Sequence, residues 1–149
     1  MKKTLSLIGA VLGVGLLLMG AGCTSKLEGA WVSEKPVDGS TVELEFTKSR
    51  LIGSGERADA ADANKKSNFK VIVDYVVTQQ LQNVYQVAIS NPEVNVVGNL
   101  ADDKTQAQWQ EQGKAYLKQF NSYSFSVSED GKTMTLNTAR TGEIGFRRK

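Results

Sequence analysis

The stretch TVELEFT, residues 41–47, alternates cleanly: Val42, Leu44 and Phe46 fall on one face, and Thr41, Glu43, Glu45 and Thr47 on the other. Alternation with period two predicts a half-buried β-strand. Gly29-Ala30-Trp31-Val32-Ser33 predicts a strand ahead of it, with the turn signal Asp38-Gly39 between the two. Arg50-Leu51-Ile52 reads as the return strand, ended by Gly53-Ser54-Gly55. Residues 55–68, GERADAADANKKSN, lack apolar periodicity and read as an exposed loop. In the next segment Phe69, Val71, Val73, Tyr75 and Val77 share a face, while Ile72 and Val76 make the other face partly apolar, as in a central strand. With NVYQVAIS it reads as a hairpin of 69–78 and 83–90. Asn91-Pro92 ends that strand, and Val94 to Val97 read as a further short one. Near the end, Tyr123, Phe125 and Val127 alternate with serines, Met134 and Leu136 with threonines, and Ile144 and Phe146 with Gly145 and Arg147. Asp130-Gly131 supplies the turn pair that hairpins favour.

One segment breaks the period. Over residues 102–120, Trp109, Tyr116, Leu117 and Phe120 recur at helical spacing, with Gln108, Gln110, Glu111 and Lys118 facing out. Asp102 and Asp103 stand at its start, where carboxylates meet the positive end of the helix dipole. Asp103 and Gln106 form a pair of the capping-box type. Gly113 costs a helix about 1 kcal/mol relative to alanine. It lies on the apolar face between Trp109 and Leu117, which points to close packing on the sheet.

Seven or eight strands in sequential antiparallel order with one packed helix predict a mainly β chain. Its architecture is a small antiparallel β-barrel or sandwich. Residues 29–149 form a single β-rich domain, with no internal repeat.

The pattern at the start is of another kind. Lys2 and Lys3 precede an uncharged run, Thr4 to Gly22, that ends in Gly20, Ala21 and Gly22 and is followed by Cys23, the chain's one cysteine. This is the layout of a secretory signal. Its rival is an uncleaved spanning helix, for which the run is long enough. The ending resembles the lipobox of bacterial lipoproteins, in which a cysteine is lipidated and the chain is cut just before it. The resemblance maps that motif onto Gly20, Ala21, Gly22 and Cys23, with Gly20 where the family usually has leucine. It implies a signal peptide over 1–22, lipid attachment at Cys23, a tether over 23–28 and residence in the bacterial envelope. Thr24, in place of an aspartate after the cysteine, implies the outer membrane, facing the periplasm. Lipidation also accounts for a lone cysteine in an exported chain, which has no partner for an internal disulfide.

Removing residues 1–22 takes away two of the 18 basic residues and none of the 16 acidic ones, so the remaining 127 residues carry a formal net charge of zero. A neutral chain without a clustered basic face gives no expectation of nucleic-acid binding. The chain has no histidine, which removes the commonest general base and the commonest metal ligand. Nucleophile elbow, P-loop, dinucleotide fingerprint and zinc-protease motifs are absent. The expectation is therefore a non-enzymatic protein without a cofactor. Asp59 and Asp62 lack the spacing of a calcium loop and read as solvated.

Gly29-x-Trp31 matches the GxW signature of lipocalin-like proteins, and the mature domain resembles the small envelope members of that group. The resemblance implies that Trp31 packs at the closed end of a barrel beneath a basic residue of the last strand, Arg147 or Arg148. The helix departs from that pattern, standing before the last three strands instead of after them. A small barrel can hold one hydrophobic ligand in its mouth, with Tyr75 and Tyr85 as candidate polar contacts. The alternative expectation is an anchored interaction subunit or inhibitor in an envelope assembly, recognising a protein partner through loops 35–40 and 53–68.

Overall fold

A computed structural model describes residues 26–138 and 142–149. Eight antiparallel strands close into an up-and-down barrel: β1 (Gly29–Ser33), β2 (Val42–Phe46), β3 (Arg50–Ala58), β4 (Lys66–Leu81), β5 (Val84–Gly98), β6 (Ser122–Val127), β7 (Thr133–Thr138) and β8 (Gly142–Arg148). Each strand pairs with its sequence neighbour, and β1 closes the ring on β8 with Trp31 opposite Arg148. Closure removes the sheet edges a sandwich would leave exposed. Among the described residues one helix exceeds a single turn, α1 (Asp103–Gln119), and it stands between β5 and β6. Residues 1–25, Cys23 among them, lie outside the described residues, as do residues 139–141. Among the described residues no helix is long and apolar enough to cross a membrane.

β3, β4 and β5 run further than local signals imply, β4 over Lys66–Leu81 instead of 69–78. β3 does not stop at Gly53-Ser54-Gly55 but continues to Ala58, with both glycines inside it. The polar loop shrinks to residues 59–65, where Asp59 and Asp62 accept hydrogen bonds from the backbone N–H groups of Ala61, Asp62 and Asn64. Likewise Asn91-Pro92 does not end β5. The register shifts there: Ile72 faces Glu93, whereas Asp74 faces Ser90, so β5 carries one extra residue. Asn91 takes a positive φ of 50° and its side-chain amide donates to Asp74 at 2.9 Å. The bulge gives proline a place without a ladder bond. It also changes which residues of β5 face inward. Val87 and Ile89 point into the barrel below it, Val94 and Val96 above it, and all four are buried.

The hairpin of β4 and β5 outruns the rest of the barrel. β6 pairs only with Val84–Ala88, so the upper part of β5 lacks a strand neighbour on that side. Helix α1 fills the place, against the inward face of the hairpin. Its N-cap is Asp102, whose carboxylate accepts from the Thr105 N–H at 2.6 Å and is held below its usual pKa by that bond. Gln106 is therefore not the capping-box partner of Asp103. It is buried, where it accepts from the Ser67 hydroxyl and donates to the Gly98 carbonyl at 3.0 Å. Gln110 accepts from the Val96 N–H at 2.9 Å, satisfying a group that a strand would otherwise have paired. One turn on, a Cβ at Gly113 would stand 3.2 Å from Val94 Cγ1, the close packing its position in the helix implied. The face turned to the sheet thus carries Gln106, which is buried, and Gln110, Gly113 and Leu117, which are half-buried. Tyr116 and Phe120, expected inside from their spacing, are 40% and 48% exposed. The helix docks by hydrogen bonds and a small residue more than by its aromatics, because its neighbour is a strand edge with polar groups to satisfy.

Candidate functional site

At one end the barrel is solid. Trp31, Phe46, Tyr75, Tyr85, Phe125, Met134 and Phe146 pack there with Leu27. Phe46 meets Tyr75 and Phe125 edge to face, with ring centroids 5.4 and 5.2 Å away. The Trp31 indole donates to the Leu27 carbonyl at 2.9 Å, and the Arg148 guanidinium lies 4.2 Å above its ring. Arg148 also donates to the carbonyls of Lys26, Glu28 and Gly131 at 2.7–2.8 Å. One side chain thus joins the chain's incoming segment, the β6–β7 turn and the last strand. The stacking residue is Arg148 and not Arg147, because Arg147 has the opposite strand parity and is exposed. Gly29 is needed for this contact. Its φ is 119°, and a Cβ there would come 2.6 Å from Arg148 Nη1. Lys26 to Glu28, expected as part of a tether, belong to the closed end, since Leu27 is fully buried.

At the other end the barrel is open. A cavity of about 430 Å³ runs down its axis. Its walls are apolar: Val42 and Leu44 of β2, Phe69, Val71 and Val73 of β4, Ile89 of β5, Leu117 of α1 and Leu136 of β7, with Phe125 toward the floor. The space exists because of β3. Its inward positions are Leu51, Gly53, Gly55 and Arg57, opposite Val73, Val71, Phe69 and Ser67 of β4. Where its neighbours contribute valine and phenylalanine, β3 contributes two hydrogens. By local signals Gly53 and Gly55 mark the end of a strand. The alternation that would have revealed their role was hidden, since a glycine leaves no apolar mark on the inward face.

Arg57 and Asp38 stand at the mouth, where the cavity meets a second hollow that also reaches Leu100 and Trp109. Trp109 packs against Phe69 with ring centroids 6.0 Å apart. Neither Arg57 nor Asp38 takes part in an ion pair among the described residues.

The tyrosines expected as ligand contacts are not in this cavity. Tyr75 and Tyr85 are 4% and 0% exposed and belong to the solid core below it. The Tyr75 hydroxyl is already engaged with the Thr47 carbonyl at 2.5 Å. Burial, with a smaller contribution from Glu28, holds its pKa above the ordinary value. Tyr123 lines the cavity instead. Burial, and secondarily Tyr116, raises its pKa as well, so it remains a neutral hydroxyl at physiological pH.

No known family, curated protein or solved structure matches the chain. Its chemistry therefore has to be read from its own residues. Among the described residues no group of three or more histidine, cysteine, aspartate or glutamate side chains is placed to hold a metal ion. What the arrangement offers is an apolar, shaped space with polar groups at its rim.

Proposed function

We propose that this chain is a lipid-anchored protein of the bacterial envelope whose barrel binds a small hydrophobic molecule without turning it over. The observation that carries the reading is the apolar cavity of about 430 Å³ that Gly53 and Gly55 keep clear. Protein interiors close-pack to densities that leave few voids larger than a water molecule, and an empty apolar lining forfeits dispersion contacts. The cavity falls in the range of small-molecule sites, about 300–1,000 Å³. An eight-stranded barrel is just wide enough to be filled by side chains or to hold one small ligand, and two glycines on one strand favour the second outcome. The lipocalin-like reading draws support from the same barrel and from the Trp31–Arg148 stack at its closed end.

The barrel segment, residues 26–149, contains all eight described strands, α1 and the core, so it has what it needs to fold alone. We expect it to bind a neutral fluorescent probe such as N-phenyl-1-naphthylamine saturably at one site. Full-length protein extracted from membranes is expected to carry a co-purifying lipid in native mass spectra. A barrel that shows neither has a closed interior, and the binding reading fails.

The anchor reading rests on the sequence around Cys23. Only Thr24 and Ser25 separate Cys23 from Lys26, a reach of about 10 Å at full extension. The Lys26 ammonium is held by Asn83 at 2.8 Å and its carbonyl by Arg148. A lipid on Cys23 would then seat the closed end on the bilayer and turn the mouth away from it. Cys23→Ser is expected to abolish the lipid mass shift and to release the protein from the membrane fraction. A variant that stays membrane-bound at unchanged mass points to an uncleaved helix instead.

The alternative, a subunit or inhibitor that docks on an envelope protein, has one observation in its favour. Tyr116 and Phe120 stack on the exposed side of α1 with ring centroids 4.7 Å apart. Stoichiometric capture of one envelope protein by a barrel that binds no probe is the result that would select it.

A further inference from the structure

The mouth of the cavity carries one cationic and one anionic side chain, Arg57 and Asp38. We infer that Arg57 is the head-group site for a single-tailed anionic amphiphile, a carboxylate or phosphate on an alkyl chain, with the tail lying along β3 toward Leu51. The inference rests on the reading of the cavity as a ligand site and adds to it the chemical class of the ligand.

The argument starts from strand parity. Arg57 shares the inward face of β3 with Leu51, Gly53 and Gly55, and sits opposite Ser67, which is 1% exposed. This arginine ends an apolar strand face and is itself exposed at the rim. It enters no ion pair among the described residues, whereas its β3 neighbour Glu56 pairs with Lys66 at 3.7 Å. Six residue steps of strand lead from Leu51 to Arg57, about 20 Å at the usual rise per residue. That is a long, apolar path ending in a positive charge. Guanidinium keeps its charge at any physiological pH, matches carboxylate and phosphate oxygens in pairs, and tolerates an apolar stem beneath it. Asp38 borders the same mouth. It lies at the tip of the β1–β2 connection with φ of 50°, off the strand face that lines the path. Its charge opposes an anion and moderates the preference.

The test uses probes that share one alkyl chain and differ only in the head: dodecanoate, dodecyl phosphate, dodecanol and dodecyltrimethylammonium. Calorimetric titration of the barrel segment is expected to give about fivefold tighter binding of the two anions than of the alcohol, the modest gain of a partly exposed charge pair. Arg57→Gln is expected to remove that difference and leave the alcohol unchanged. The ratio between carboxylate and phosphate tells which anionic head the site prefers. Binding of alcohol and anions with equal affinity overturns the inference while the cavity stands, and preferred binding of the cation overturns it in favour of Asp38. Failure of all four probes to bind removes the cavity reading itself.

Discussion

Gly53→Leu is expected to weaken binding of a neutral probe by at least about tenfold while the protein becomes no less stable. The two halves of that outcome have one cause. Gly53 has ordinary strand geometry, and a Cβ there would meet only Leu44 Cδ2 at 3.5 Å, an ordinary van der Waals contact. The rest of a leucine side chain projects into the cavity, where it displaces ligand. Forcing a ligand past it costs on the order of 1–3 kcal/mol, the usual penalty of overpacking. Without ligand the balance is opposite. Burying a leucine contributes roughly 1.5–3 kcal/mol, and replacing glycine in a strand reduces the conformational freedom of the unfolded chain. Some of that gain is lost to imperfect fit, so a rise of about 1 kcal/mol is expected from urea unfolding. Gly55 is the poorer place for the same experiment. A Cβ there would come 3.3 Å from the Thr41 carbonyl, which is backbone and gives little. Unchanged probe binding in Gly53→Leu would show that the probe sits outside the barrel. A loss of stability of more than about 2 kcal/mol would show that the space is not there to be filled.

The second large effect is at the closed end. Trp31→Ala is expected to destabilise the barrel by about 3–5 kcal/mol, as for large aromatic truncations elsewhere. Three losses combine. The indole is fully buried, its N–H bond to the Leu27 carbonyl disappears, and the Arg148 guanidinium loses the ring beneath it. Arg148 keeps its three carbonyls, so the charge remains partnered and the end does not open altogether. Trp31→Phe should retain most of the packing and lose the N–H bond, costing about 1–2 kcal/mol. The order of the two variants in urea midpoints is the decisive measurement. Equal costs would mean that the bond to Leu27 dominates, and a cost under about 1 kcal/mol for Trp31→Ala would mean that Trp31 is no cornerstone of the fold.

Neither variant could have been chosen from the alternation pattern alone. Val42, Leu44 and Phe46 were legible as one inward face, and so were Phe69 to Val77. The mainly β class, the single helix and the nearly sequential antiparallel order follow from such stretches. The site was legible only in part. Tyr75 and Tyr85 have the right composition for ligand contacts and the wrong height in the barrel. Tyr123, on a strand whose apolar face was read correctly, has the right height. No local signal separates them, because height along the axis depends on how the strands are staggered. Arg57 was lost in a polar stretch read as loop, although it continues the parity of Leu51, Gly53 and Gly55. Counting every second residue through the glycines would have found it.

The sequence by itself determined which residues alternate, where the helix stands, and that an apolar run ending at Cys23 precedes the barrel. These are consequences of backbone geometry and composition over a few residues, and such patterns survive without knowledge of neighbours. Ring closure decided the rest. Trp31 reaches Arg148 and not Arg147 because β1 and β8, more than a hundred residues apart, pair in one register. The bulge at Asn91 sets which valines of β5 turn inward, and the unequal strand lengths make room for the helix. Whether apolar side chains fill a barrel or leave a cavity is a property of their sum around the ring. Two glycines on β3 matter there only because Val71 and Phe69 stand opposite them and do not reach across.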